Sequence, residues 1–172
     1  MLAAVEGWPP EWLSLSPDSK VWSVIQLFEH LMLSERAVRL SFERNEAEES
    51  RVVTPAERWG AEMFLIGMRL PIRIRVPKVL ATSIEPSAHR SLHTLIEEWD
   101  SERRLLFGFL RTQSSRSRHR VAMRHPATGS LGLETALRFL CVHMWHHQYR
   151  FFRLRRRVDR HRTCLTDSTY RL

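Results

Sequence analysis

Apolar residues recur along this chain at intervals of three and four in four places, and helix punctuation bounds each run. Leu27, Leu31, Ser34 and Val38 make the first stripe, the spacing of one helical face. Ser23 followed by Gln26 is a capping box, in which hydroxyl and amide satisfy free backbone N–H groups reciprocally. A helix is therefore predicted from Ser23 to about Asn45, with Trp22 as its hydrophobic staple. Thr54, Pro55 and Glu57 form a second box with Pro at the first helical position. That helix is predicted to reach about Arg69, and the spacing of Trp59, Met63 and Ile66 marks its buried face. Leu92, Ile96, Trp99, Leu106 and Leu110 share one face of a third helix, from about Ala88 to Arg111. Gly129 and Ser130 precede the last, predicted from about Leu131 through Leu133, Ala136, Leu140, Phe151 and Leu154 to about Val158.

Between the second and third helices, Pro71, Pro77 and Pro86 forbid regular helix, while Ile72, Ile74 and Val76 alternate as in an extended segment. Residues 70–86 thus read as a long crossover, and the QSSRSRHR stretch at 113–120 as a polar loop. Four helices with one long connection predict an all-α four-helix bundle. At 172 residues, 43% of them apolar and 27% charged, the chain has the length and composition of one globular domain. Residues 1–20 read as an N-terminal extension and 159–172 as a basic C-terminal tail. The longest stretch without a formal charge, Phe139 to Tyr149, is far too short to span a membrane, so no membrane partner is expected. The N-terminal MLAAVEGWPPEW lacks a basic start and meets Glu6, Pro9 and Pro10 early, which points to a cytoplasmic protein. Cys141 and Cys164 are expected to be free thiols.

The net charge is +8 from 27 basic and 19 acidic residues, and Arg150–Arg162 holds most of it, with seven Arg against one Asp. Such an end suits nucleic acid or an anionic surface, and it equally suits a solvated last turn placed at the negative end of a helix dipole.

Chemistry is concentrated in the histidines. On a wheel of about 100° per residue, His147 lies about 40° from His143, with Ala136 and Leu154 about 20° off, so both imidazoles sit within the apolar stripe of the last helix. An unsatisfied polar group in a core costs on the order of 1–3 kcal/mol. One divalent cation offers both rings a partner, because residues four apart project side by side. A third ligand must come from another helix, and His30 is the one His inside the first. Core histidines bonded to carboxylates or carbonyls are the competing reading, and patterning alone does not choose. A His143–His146 pair is the off-centre variant. His89 and His93 read as a surface pair, His119 and His161 carry no argument, and Cys141, on the opposite side of the helix, reads as a small packing residue. Arg150 shares the His stripe one turn beyond His147. It is read either as an anion holder for a carboxylate or phosphate of the substrate or as the first of the solvated arginines. Arg155 and Arg156 point away.

VWSVIQLFEHLMLSE (Val21 to Glu35) resembles the first helix of DinB/YfiT-like proteins, and HPATGSLGLETALRFLCVHMWHH (His125 to His147) is similar to their His-Pro, Gly, apolar helix and His-x-x-x-His ending. The resemblance implies a four-helix bundle with a long crossover, and a divalent metal held by His30, His143 and His147. It also implies a choice of activities, since relatives include transferases or isomerases that use a low-molecular-weight thiol such as bacillithiol or mycothiol, hydrolases, and members without a known reaction. Many members carry Gln three residues beyond the last His, where this chain has Arg150, with Gln148 directly after the His.

Three imidazoles without a carboxylate leave tetrahedral Zn²⁺ one open position, and Ni²⁺ suits the same ligands. Water activation or thiolate binding would follow. No Gly-rich phosphate loop and no separate nucleophile declares itself. The expected function is therefore a metal-dependent enzyme, S-transferase-like or hydrolase-like, acting on a small molecule as a monomer or homodimer. The alternatives are a non-catalytic metal-binding stress-response protein and, third, a nucleic-acid binder using the arginine-rich end.

Overall fold

The computed structural model describes residues 1–16, 18, 21–47, 51–70, 84–87, 90–113 and 120–169, with the backbone alone at 47 and 161–169. The chain is mostly helical. A 3-10 turn at Leu2–Ala4 and a short α1, Pro10–Leu13, lead into α2, Val24–Ala47. There follow α3, Pro55–Met68, α4, Leu92–Thr112, a hairpin of β1, Val121–His125, and β2, Gly129–Gly132, and then α5, Leu133–Thr169. Both capping boxes form as their residues dictate. Ser23 Oγ accepts from the Gln26 amide and Gln26 Oε1 from the Ser23 amide, and Thr54 and Glu57 exchange the same pair of bonds with Pro55 at N1. Most of the expected crossover, 71–83, lies outside the described residues.

Three elements differ from the sequence reading. The face of α3 predicted to be buried points outward: Trp59 is 70% exposed, and Met63 and Ile66 are also exposed, while Ala61, Leu65 and Met68 form the inner face. Both sets have helical spacing, so periodicity alone admits either, and the smaller Ala61 lies on the packed side. The second difference is the hairpin, whose first strand follows the expected polar loop and whose second takes in the expected helix start. His125 pairs with Gly129 and Met123 with Leu131, and Gly129 takes φ 78°, where Gly has no Cβ penalty. Val121 and Met123 alternate inward on β1, and Ser130 and Leu131 are buried on β2. The third is length, since α5 continues as helix past Val158 to Thr169. The stretch expected to be an N-terminal extension supplies Val5 and Leu13 to the core, at 1% and 5% exposure. Among the described residues no helix is long and apolar enough to cross a membrane.

The core falls into two clusters. Val24, Leu27, Phe28 and Leu31 of α2, Leu95 and Trp99 of α4, and Phe151, Leu154 and Val158 of α5 join Val5 and Leu13 in one. Val38 and Phe42 of α2, Leu65 and Met68 of α3, Leu106 of α4, the hairpin, and Ala136, Phe139 and Val142 of α5 form the other. A polar position separates them along α2, α4 and α5: Ser34 on α2, with His30 a turn earlier beside the first cluster, Glu102 on α4, and His143 and His147 on α5. α5 is also held to α3. Arg138 pairs with Glu62, and His146 Nδ1 donates to the Met68 carbonyl at 3.0 Å, so the two helices run in the same direction.

Candidate metal centre

At the polar level between the two clusters, α2 contributes one imidazole and α5 two. The ring centroids of His143 and His147 are 4.5 Å apart, as residues one turn apart on a helix allow. The His30 ring lies 5.3 Å from His143 and 4.8 Å from His147. One nitrogen from each ring falls within 4.8 Å of the other two, and among the described residues this is the group of His, Cys, Asp or Glu side chains so arranged. His30 and His147 are buried, at 2% and 4% exposure. His143 is half-buried, with Phe139 stacked on it at 5.5 Å.

Hydrogen bonding fixes which nitrogens are free. A carbonyl only accepts, so His30 Nδ1, 3.0 Å from the Ile84 oxygen, carries the proton and leaves Nε2 as a bare lone pair in the neutral ring. Such an anchor on the far nitrogen is the arrangement that orients metal-ligating histidines. Its acceptor is itself held by α2. Glu29, the residue before His30, is 3% exposed and accepts from the Ser87 amide at 2.8 Å and from Arg90 Nε at 3.0 Å. The chain segment carrying Ile84 is thereby tied down beside the imidazole. His143 Nε2 and His147 Nε2 stand 3.0 Å apart, close to the roughly 3.3 Å between two nitrogens that share a tetrahedral zinc at about 2.0–2.1 Å. His147 Nδ1 is buried without a hydrogen-bond partner among the described residues. Burial keeps all three rings neutral. It pushes His143 down to about 3 and His147 further still, the neighbouring rings and the Arg150 cation adding to both. His30 is lowered by burial and by Arg150 against the opposing bond to Ile84. Three neutral imidazoles that converge from two helices, two of them with nitrogens at ligand spacing, fit a divalent cation.

Arg150 is exposed at the rim, its guanidinium 5.4 Å from the Trp22 ring, and Trp22 lies 4.7 Å from His30. The residue read as a helix staple thus also lines the centre. His146 is occupied by Met68 and is not in the group, so the off-centre pairing is not the one formed. His93 pairs with Glu97 on the surface, at 3.2 Å. Cys141 is a free, exposed thiol rather than a packing residue. His89 and His119 lie outside the described residues, as do the side chains of His161 and Cys164. His125, within the His-Pro pattern, packs between Phe64 and Phe139 at 5.1 and 4.9 Å, and burial lowers its pKa. Sequence reasoning missed Glu29 and the Ile84 carbonyl. An acid adjoining a stripe histidine is visible in the sequence, but its burial is decided by a segment more than fifty residues away.

The model of the DinB superfamily matches residues 1–149. No curated protein and no solved structure matches the chain.

Proposed function

The chain belongs to the DinB superfamily, and from that membership and its three converging imidazoles we propose that it is a metal-dependent enzyme acting on a small molecule. The fold reading that accompanies this is the four-helix bundle of α2, α3, α4 and α5, with the crossover between α3 and α4. His30, His143 and His147 would hold one divalent ion, Zn²⁺ or Ni²⁺ by ligand type. The observation that carries the proposal is the trio of ligand nitrogens within 4.8 Å of one another.

When bound, such an ion supplies a Lewis-acidic position able to lower the pKa of water or to hold a low-molecular-weight thiol as thiolate, giving hydrolase-like or S-transferase-like chemistry. The protein's own residues do the rest. The Ile84 carbonyl fixes the His30 tautomer, Glu29 holds the segment that bears it, and burial keeps the rings deprotonated. Phe139 and Trp22 flank the imidazoles and keep water from their faces.

Elemental analysis of protein purified without a metal-affinity tag tests the assignment. About one divalent ion per chain is expected, lost on replacing His30, His143 or His147 with Ala. Full occupancy in His143→Ala or in His30→Ala would overturn it.

A further inference from the structure

Away from the imidazoles, α3 and α5 turn a row of large apolar side chains to solvent. On α3 and just past its end, Trp59, Met63, Ile66 and Leu70 recur at intervals of four, three and four and are all exposed, opposite the buried Ala61, Leu65 and Met68. On α5 the exposed row is Trp145, Tyr149 and Phe152, with Trp145 about 160° around the helix from both His143 and His147. The Arg138–Glu62 pair and the His146–Met68 bond hold the two helices side by side, and Arg69, Cys141, Val142 and Trp145 line a shallow hollow between them. The two rows therefore share one outer surface. Each of the seven side chains leaves 39–70% of its area open, which at about 200 Å² for a large side chain makes roughly 700 Å² of apolar surface. That exceeds the roughly 300–600 Å² of the largest patch on a typical monomer, and it approaches the roughly 800 Å² that each partner gives to a standard interface.

The charges at the two ends of this surface say what fits it. Glu134 and the Glu62–Arg138 pair stand at the N-terminal end of the α5 row. Beyond its C-terminal end come the exposed Arg153, Arg156 and Arg160, Arg153 lying over the Tyr149 ring, while the nearby Asp159 is paired with Arg155. A second copy laid on with α5 antiparallel to α5 sets each basic end against the other's acidic end. A parallel arrangement would stack arginine on arginine. His147 is equidistant in sequence from Glu134 and Arg160, so a two-fold axis that pairs them crosses the outer row at the level of Trp145 and Tyr149. An anionic membrane would attract one end and repel the other, whereas a second copy matches both. We propose that the α3–α5 face is the interface of a homodimer, isologous and centred on Trp145 and Tyr149, with the two α5 helices antiparallel.

Sedimentation equilibrium of the full chain at micromolar concentrations tests this, and the expected mass is twice 20.4 kDa. Ile66→Glu and Trp145→Glu should each raise the dimer dissociation constant by about 30-fold or more, as loss of an anchor side chain does, with the far-ultraviolet circular dichroism unchanged. Phe107→Glu, at a comparably exposed apolar position on α4, should leave the dimer as it is. Glu134→Arg and Arg160→Glu should each weaken it, and the two combined should restore it, because the exchanged charges meet again across the two-fold. A wild type that stays at 20.4 kDa throughout would overturn the proposal. So would a dimer that survives both Ile66→Glu and Trp145→Glu, or a double charge variant weaker than either single one. Flotation with vesicles of phosphatidylcholine and phosphatidylglycerol in equal parts gives the rival outcome: a monomer that floats as wild type but not as Trp145→Glu overturns the dimer and assigns the face to a membrane.

Discussion

His143 shows how one residue can be legible in sequence while its energetics are not. Its place on the apolar stripe follows from spacing, and the structure sets it 4.5 Å from His147, with Phe139 stacked on it. What spacing does not show is that burial and neighbouring positive groups hold its pKa at about 3, against about 6.5 in an unfolded chain. Between those values the unfolded state takes up a proton that the folded state refuses, so stability is full above pH 6.5 and falls as pH drops toward 3. Metal-free protein should therefore show a lower urea midpoint at pH 5 than at pH 7.5. His143→Leu should narrow that difference, with the remaining part carried by His30, His147 and His125, whose pKa values are also lowered. An unchanged difference would mean that the ring is solvated. Glu29 was illegible for a related reason: an acid on a helix is read as exposed until a second segment is known to cover it.

At the level of elements, α2 and α4 meet through charges as much as through apolar packing. Glu102 accepts from Arg36 Nε at 2.7 Å and Arg39 Nε at 2.9 Å. Glu35 accepts from the Trp99 indole at 2.7 Å and from Arg103, and Arg90 and Arg36 share Glu98. Burial alone would raise the pKa of Glu102, yet the two guanidinium bonds prevail and lower it. Of the predicted α4 stripe, Trp99 and Leu106 are buried and Leu92 and Leu110 pack against the clusters, whereas Ile96 joins neither and the fully buried Leu95 lies outside the predicted set; the gap between Trp99 and Leu106 is where the buried acid sits. Arg39 is 8% exposed, so Glu102→Gln leaves a buried cation with only Glu43. Removing one partner of a buried pair typically costs about 3–5 kcal/mol, and a loss of that order is expected in chemical denaturation. A loss below about 1 kcal/mol, the range of exposed pairs, would show that the seam is solvated. The face of α3 could not be chosen in the same way, because that helix carries apolar residues on nearly every side and only its packed neighbours select Ala61, Leu65 and Met68.

For the whole molecule, the number and order of the long helices were legible because capping boxes and stripes are local. The hairpin was not: its strands are five and four residues long, and the Gly129-Ser130 step that opens β2 doubles as a helix-start signal. The division of the core was also invisible, because it appears only when the polar positions of α2, α4 and α5 are seen at one level. That division has a calorimetric consequence. Two apolar clusters that meet across imidazoles share little of the contact that makes unfolding all-or-none, and an ion bound by α2 and α5 would couple them. Metal-loaded protein should melt in one endotherm, with equal calorimetric and van't Hoff enthalpies. Stripped of metal, the same chain should give a broadened endotherm whose van't Hoff enthalpy exceeds neither half's share, the cluster containing Val5 and Phe151 separating in temperature from the one containing Phe42 and Phe139.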